Sequence, residues 1–248
     1  SGVPYQKIHE ESVVSLEEMI LDQKINLDEQ IRKYILPFNL EELPLIKIKY
    51  GFLSPEKAIV LIDIHHVIAD GSSLINLIDA LFSIYNGKDF KKPEIQYADC
   101  VLWEEKHLRS NKTDAAKEYW RECLQGNITQ LNLPTDFSRT VQDDDNGARV
   151  FGSLGTDLHS SLELFSKDIG ISKSTIFLSC YSILLHKLTS QEDIIIGMAE
   201  SGRNHVKFLD TIGMFVNNLP IRFFPDGNIG INQYLSAINK NLIQALDN

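Results

Sequence analysis

Ala58-Ile59-Val60-Leu61-Ile62-Asp63-Ile64-His65-His66-Val67-Ile68-Ala69-Asp70-Gly71 is the stretch around which the chain is organised. Its first five residues form a continuous apolar run, the pattern of a strand buried on both faces. A polar cluster, His65, His66 and Asp70, comes directly after it, and placing it beside so apolar a strand costs desolvation unless partners are provided. Past Gly71, Ser72 or Ser73 can cap a helix whose stripe is Leu74, Leu77, Ile78, Leu81 and Tyr85, with Gly87 at its end. Neighbouring strand residues point to opposite faces, so only one of the two histidines can look into any one cavity. That works against a shared metal, and Cys100, Cys123 and Cys180 lack ligand spacing, so no metal is expected. A lone histidine here would read as a satisfied core residue. The whole run at a strand-to-helix junction is far more specific.

Working outward, Ser15 with Glu18 has the spacing of a capping box and predicts a short helix through Met19 and Leu21. A second short helix is expected over Leu27 to Ile35, stopping before Pro37. Leu45 to Tyr50 alternates as a half-exposed strand should. Helices are predicted over Val101 to Leu108 and Thr113 to Leu124, the latter closed by Gly126. Between Leu133 and Gly147, Pro134, Asp136 and the run Asp143-Asp144-Asp145-Asn146 are loop-formers. Beyond them a strand (Ala148 to Leu154) and two helices (Leu158 to Ile169, Thr175 to Leu188) are expected. Two strands (Asp193 to Met198, Phe215 to Phe224) and a helix (Ile231 to Leu246) complete the pattern. The reading is a mixed α/β fold in two lobes, 1–135 and 136–248, each built on a mixed sheet, with the histidine motif at the end of a central strand.

Composition narrows the partners. The chain has 248 residues, 43% of them hydrophobic, and a net charge of −10. That acidity argues against a nucleic-acid backbone or an anionic membrane as the main partner. No uncharged run approaches the ~18 apolar residues of a membrane span. Three widely spaced cysteines read as reduced thiols, and a cytoplasmic location is expected. No GxSxG is present, so a hydrolase nucleophile elbow is not supported.

The segment His65-His66-Val67-Ile68-Ala69-Asp70-Gly71 resembles the HHxxxDG motif of condensation domains of nonribosomal peptide synthetases. Tyr97-Ala98-Asp99-Cys100-Val101-Leu102-Trp103 is similar to the family's YxDFAxW segment, with Cys100 in place of Phe. Tyr119-Trp120 with Leu133-Pro134-Thr135-Asp136 resembles its YW…LPTD stretch. Ile196-Gly197, Ser201-Gly202-Arg203 and Ile212-Gly213-Met214-Phe215-Val216-Asn217-Asn218-Leu219-Pro220 resemble its IG…GR…IGxFVNTLPLR block. The family's SxAQxRLW-type and RHxxLR-type segments do not occur here, and Gly2-Val3-Pro4-Tyr5-Gln6 resembles the residues just after the second of them. The QDYPFE-like segment is also missing. The resemblance therefore implies the middle of such a domain: chloramphenicol-acetyltransferase-like lobes, the first partial and the second largely present, with the motif in a tunnel between them. On its own the fragment is expected to be inactive.

For chemistry, the resemblance implies amide formation by aminolysis of a thioester. An acyl or peptidyl group on one carrier domain would be attacked by the amine of an aminoacyl group on a second. Both are held on phosphopantetheine arms, with an adenylation domain nearby and no cofactor bound directly. It gives His66 the catalytic place and makes His65 structural. It pairs Asp70 with Arg203 across the lobes, and sets Gly71 where backbone must approach the pantetheine arm or the oxyanion closely. Asp70-Gly71-Ser72-Ser73-Leu74 lacks the Trp of epimerisation domains, and both histidines contradict cyclisation domains, which carry aspartates there. An acyl-CoA acyltransferase of the same fold, or a docking module without catalysis, is the alternative; such modules tend to lose the histidines.

Overall fold

The computed structural model describes residues 5–22, 24–109, 112–137 and 147–248. The expected Asp143-Asp144-Asp145-Asn146 loop and the Gly2-Val3-Pro4 start lie outside them. The chain forms two compact units, Ser1–Leu102 with Ser201–Val216, and Trp103–Glu200 with Asn217–Asn248.

The first unit contains β1 (Leu16–Glu18), α1 (Leu27–Arg32), β2 (Ile46–Ser54), β3 (Lys57–Ile64) and α2 (Gly71–Tyr85). Its mixed sheet has the order β1-β2-β3, with β1 parallel and β3 antiparallel to β2. The capping box at Ser15 does not start a helix. The Ser15 hydroxyl bonds the Glu17 carboxylate, 3.4 Å away, and the Met19 N–H donates to Tyr50 O at 2.6 Å. Pairing along β2, together with full burial of Met19 at 2% exposure, overrides a local cap whose helix had little else to bury. The helix expected over Leu27 to Ile35 is α1, capped by the Asn26 side chain on the N–H groups of Asp28 and Glu29.

The strand expected at Ala58 to Ile62 forms, but not as a central strand buried on both faces. Among the described residues β3 is an edge strand, the central strand is β2, and Val60 is 62% exposed. An apolar run reports a preference for burial; the number of neighbouring strands decides how much burial is delivered.

The second unit includes α4 (Lys112–Cys123), α5 (Thr156–Ile169), α6 (Lys173–Thr189), β4 (Ile194–Glu200), β5 (Asn217–Phe223) and α7 (Ile231–Asp247). The chain reaches it through α3 (Tyr97–Leu108). Among the described residues the sheet here is an antiparallel pair, Ile194 opposite Phe223 and Glu200 opposite Asn217, and not the mixed sheet expected. The strand expected at Ala148 to Leu154 is irregular instead, with Val150 98% and Phe151 87% exposed. It finds no partner strand among the described residues, and an unpaired strand leaves its backbone to water. α6 and α7 cover the β4–β5 pair, burying Leu185, Ile194, Ile221, Phe223, Tyr234, Ile238 and Leu242 in one core. Inside it the Ser182 hydroxyl meets the Tyr234 hydroxyl at 2.7 Å, so the polar atoms this packing buries are satisfied.

Candidate functional site

The site begins where β3 runs out. The His65 N–H donates to Leu45 O at 3.0 Å, and Ile68 N–H donates back to His65 O at 3.1 Å. The Nδ1 atom of the His65 ring accepts the Val67 N–H at 3.0 Å, which places the proton of a neutral ring on Nε2. Phe38 meets that ring edge-on, 5.8 Å between centroids, and Lys47 Nζ sits 4.2 Å from the Phe38 centroid. His65 is thus consumed in building a turn. His66, next along, is exposed and makes no hydrogen bond among the described residues. The two histidines are not equivalent: the His65 ring is committed to the turn through Nδ1, while the His66 ring makes no hydrogen bond among the described residues.

Four residues on, Asp70 ends the turn and opens α2. Its carboxylate accepts the Ser73 N–H at 2.8 Å, so Asp70 is the helix cap, not Ser72 or Ser73. It also receives Arg203: Nη1 to Oδ2 at 2.5 Å and Nη2 to Oδ1 at 3.0 Å, a two-pronged pair with both side chains 3% exposed. The Phe215 N–H adds a bond to Oδ2 at 3.1 Å. No oxygen of Asp70 is left for His66, so the two do not form a dyad. Asp70 and Arg203 fall in the same compact unit, because the chain re-enters it at Ser201–Val216.

The returning segment is clamped on several sides. Arg203 Nη2 also donates to Thr211 O at 3.1 Å, and its guanidinium lies 4.3 Å from the Phe215 ring centroid. Tyr97 donates to Met214 O at 2.8 Å and meets Phe215 edge-on at 5.1 Å. Two glycines are required by this packing. Gly202 has φ +65°, and a Cβ there would sit 1.9 Å from Phe215 O. At Gly213 a Cβ would sit 2.1 Å from the Tyr97 ring. Gly202→Ala is therefore expected to destabilise the domain by at least ~1–3 kcal/mol, the scale of one strained backbone position. Urea unfolding against Gly71→Ala, where a Cβ meets nothing within 4 Å, provides the control. Equal losses at the two positions would refute the clamp.

Electrostatics follow from the same geometry. Burial pushes the Asp70 carboxyl up, but Arg203 and the hydrogen bonds from Ser73 and Phe215 outweigh it and hold the group well below the usual carboxylate range. A depressed folded-state value gives stability that is fully present above the unfolded value, near pH 4, and is lost as pH falls through the folded one. The gap in unfolding free energy between wild type and Asp70→Asn should be flat from about pH 8 to 5 and narrow steadily below about pH 4. A gap independent of pH would show that the Asp70 charge is not what Arg203 responds to.

The other residues singled out from the sequence take lesser places. Gly71 is exposed at the first helical position, with no packing of its own to explain the absence of a side chain. Asn217 accepts the Asn218 N–H at 2.8 Å. Cys100 is buried, Cys123 half-buried and Cys180 exposed, all as free thiols. No cluster of three or more His, Cys, Asp or Glu side chains suited to a metal occurs among the described residues. What sequence reasoning missed is Ser73, whose hydroxyl joins Asp70, Arg203 and Gly213, and the Tyr97–Phe215 packing beside it. The 140-residue separation of Ser73 from Gly213 left no local signal.

Comparison with known proteins supplies the rest. The family model of the condensation domain matches residues 1–248. Bacitracin synthase 1 of Bacillus licheniformis is 36% identical over 225 residues, covering 91% of this chain and 4% of that protein. Gramicidin S synthase 2 of Brevibacillus brevis is 31% identical over 248 residues, all of this chain and 6% of that one. The chain thus spans only a small part of the curated relatives it matches. Among solved structures, the condensation domain of the Monacolin K polyketide synthase MokA superposes with a TM-score of 0.80 at 20% identity, over 94% of this chain and 55% of that one. An X-domain from teicoplanin biosynthesis, solved in complex with OxyB, superposes with a TM-score of 0.82 at 19% identity, over 98% and 56%. At those identities the superpositions establish the α/β fold, while the match over the full chain and the synthetase relatives establish the family. The chain belongs to the condensation-domain family of nonribosomal peptide synthetases.

Proposed function

We propose that this domain forms amide bonds between two carrier-bound substrates. The acceptor amine nitrogen attacks the carbonyl carbon of the donor thioester, and the resulting tetrahedral centre holds an oxyanion and an excess proton on nitrogen. His66 positions the amine, takes that proton, and returns it to the departing thiolate as the C–S bond breaks. The observation that carries this reading is the free, exposed His66 ring on a turn fixed at both ends, by His65 on one side and Asp70 on the other. Asp70, Arg203 and His65 shape the site without touching the reacting atoms, and Gly71 leaves backbone room for a pantetheine arm or a developing oxyanion. The partners are a donor and an acceptor carrier domain, each with its phosphopantetheine arm, and a neighbouring adenylation domain. No cofactor binds the domain itself, and it acts in the cytoplasm.

The fold alone does not decide the function, since an X-domain solved in complex with OxyB superposes as well as a condensation domain does. Both histidines and the absence of Trp at Leu74 favour condensation over docking and over epimerisation. The test uses the condensation domain carrying this sequence, a donor carrier loaded with an acyl thioester, and an acceptor carrier loaded with an aminoacyl thioester. Mass spectrometry should show the acyl mass moving onto the acceptor arm, and no transfer when the acceptor amine is blocked. Donor epimerisation without transfer, or carrier binding without either reaction, would overturn the proposal.

A further inference from the structure

We infer that Ser73 is a positioning residue for His66, acting through the joint between α2 and the returning segment at 211–215; this rests on the assignment of His66 above. Ser73 is 1% exposed. Its hydroxyl lies 2.8 Å from Asp70 Oδ1 and 2.8 Å from Gly213 O, and it accepts Arg203 Nη2 and the Gly213 N–H, each at 3.0 Å. A hydroxyl has one proton and two lone pairs, so both acceptor places are filled and the single proton is shared between a carboxylate and a carbonyl. No apolar side chain can replace that atom without leaving both the N–H and the C=O of Gly213 buried and unpaired.

The consequence for His66 comes from how its turn is held. Upstream, His65 is anchored to the sheet through Leu45 O. Downstream, the next fixed point is Asp70, and the orientation of Asp70 depends on Arg203, Phe215 and Ser73 together. Arg203 and Phe215 both belong to the returning segment, and Ser73 is the side chain on α2 that grips that segment at Gly213. With the hydroxyl gone, α2 loses its hold on Gly213, and Asp70 keeps Arg203, the Phe215 N–H and the backbone N–H of residue 73 but loses its hydroxyl partner. The Asp70 end of the turn can then shift with the returning segment relative to α2 while the Asp70–Arg203 pair stays closed. Such a shift moves the His66 ring relative to a substrate held by the rest of the domain, and misplacement of about 1 Å costs up to about 100-fold in rate.

Ser73→Ala in the condensation domain carrying this sequence is expected to lower kcat for carrier-to-carrier transfer by about 10- to 100-fold, with KM for both carriers within about twofold. In a His66→Ala background the same substitution should have no further effect on kcat, since it acts only through the ring already removed. An equal fractional loss in both backgrounds would mean Ser73 merely sets the amount of folded enzyme, and an unchanged kcat in the single variant would mean the joint does not reach His66. Either result overturns the inference. If Ser73→Ala does not fold, Arg203→Lys keeps the buried charge while losing the fork that spans Asp70 and Ser73, and the same cycle with His66→Ala applies to it. Full activity of His66→Ala by itself would remove the catalytic assignment, a failure separable from any result at Ser73.

Discussion

His66→Ala is expected to reduce carrier-to-carrier amide formation by about 10²- to 10⁴-fold while leaving the unfolding transition within ~0.5 kcal/mol of wild type. The two halves of that expectation have separate origins. His66 is exposed and makes no hydrogen bond among the described residues, so truncating it opens no cavity and leaves no group unpaired. The role proposed for it is to move a proton that must leave nitrogen before the amide can form, and a side chain that does only this affects the chemical step. The loss should fall on kcat, with KM for either carrier little changed, because in the proposed reaction the ring acts on the transferred proton and not on carrier docking. Thioester-to-amide transfer measured beside thermal unfolding separates the two. A variant that transfers at the wild-type rate would leave His66 as an exposed turn residue and return the catalytic question to other groups. His65→Ala provides the contrast. It removes the acceptor of the Val67 N–H and the ring against Phe38, so it should cost stability as well as rate.

The difference between the two histidines shows how far a single sequence reaches. Strand alternation set them apart in the sequence, but β3 ends at Ile64 and both histidines lie on the turn beyond it, where the bond from Val67 N–H to the His65 ring makes the difference. Helix α2 and the strand before it were legible because their periodicities are local and need no knowledge of neighbours, although most of the apolar stripe of α2 is exposed. The failures occur where a partner distant in sequence decides. Ser15 and Glu18 form a good cap on paper, but Leu16 to Glu18 lie alongside Ile48 to Tyr50, and ladder bonds outweigh one capping bond. Ala148 to Leu154 has strand-like residues and nothing to pair with among the described residues. Asp70 took the capping place from Ser72 and Ser73 because a carboxylate already turned toward Arg203 also reaches the Ser73 N–H. The Asp70–Arg203 contact itself, 133 residues apart, entered only through resemblance to a family; no periodicity or spacing in this chain points to it.

That contact sets the second large expected effect. Asp70→Ala and Arg203→Ala should each destabilise the domain by roughly 3–5 kcal/mol, because each strands the opposite charge in a site where both side chains are 3% exposed. The double variant should cost clearly less than the two singles added together. Once both charges are gone, the desolvation that made either one costly is gone as well, and what is left is lost packing and a few backbone groups to re-solvate. The two singles need not be equal. Without Asp70, Arg203 still finds Ser73 and Thr211 O, whereas without Arg203, Asp70 still caps α2 and accepts from Ser73 and Phe215. A carboxylate held by three remaining donors is better compensated than a guanidinium held by a hydroxyl and a carbonyl, so Asp70→Ala should be the more damaging of the two. Urea unfolding of the four proteins at neutral pH measures the cycle. Strict additivity would mean that the two side chains stabilise the domain independently, and that the short distances between them carry no energetic coupling.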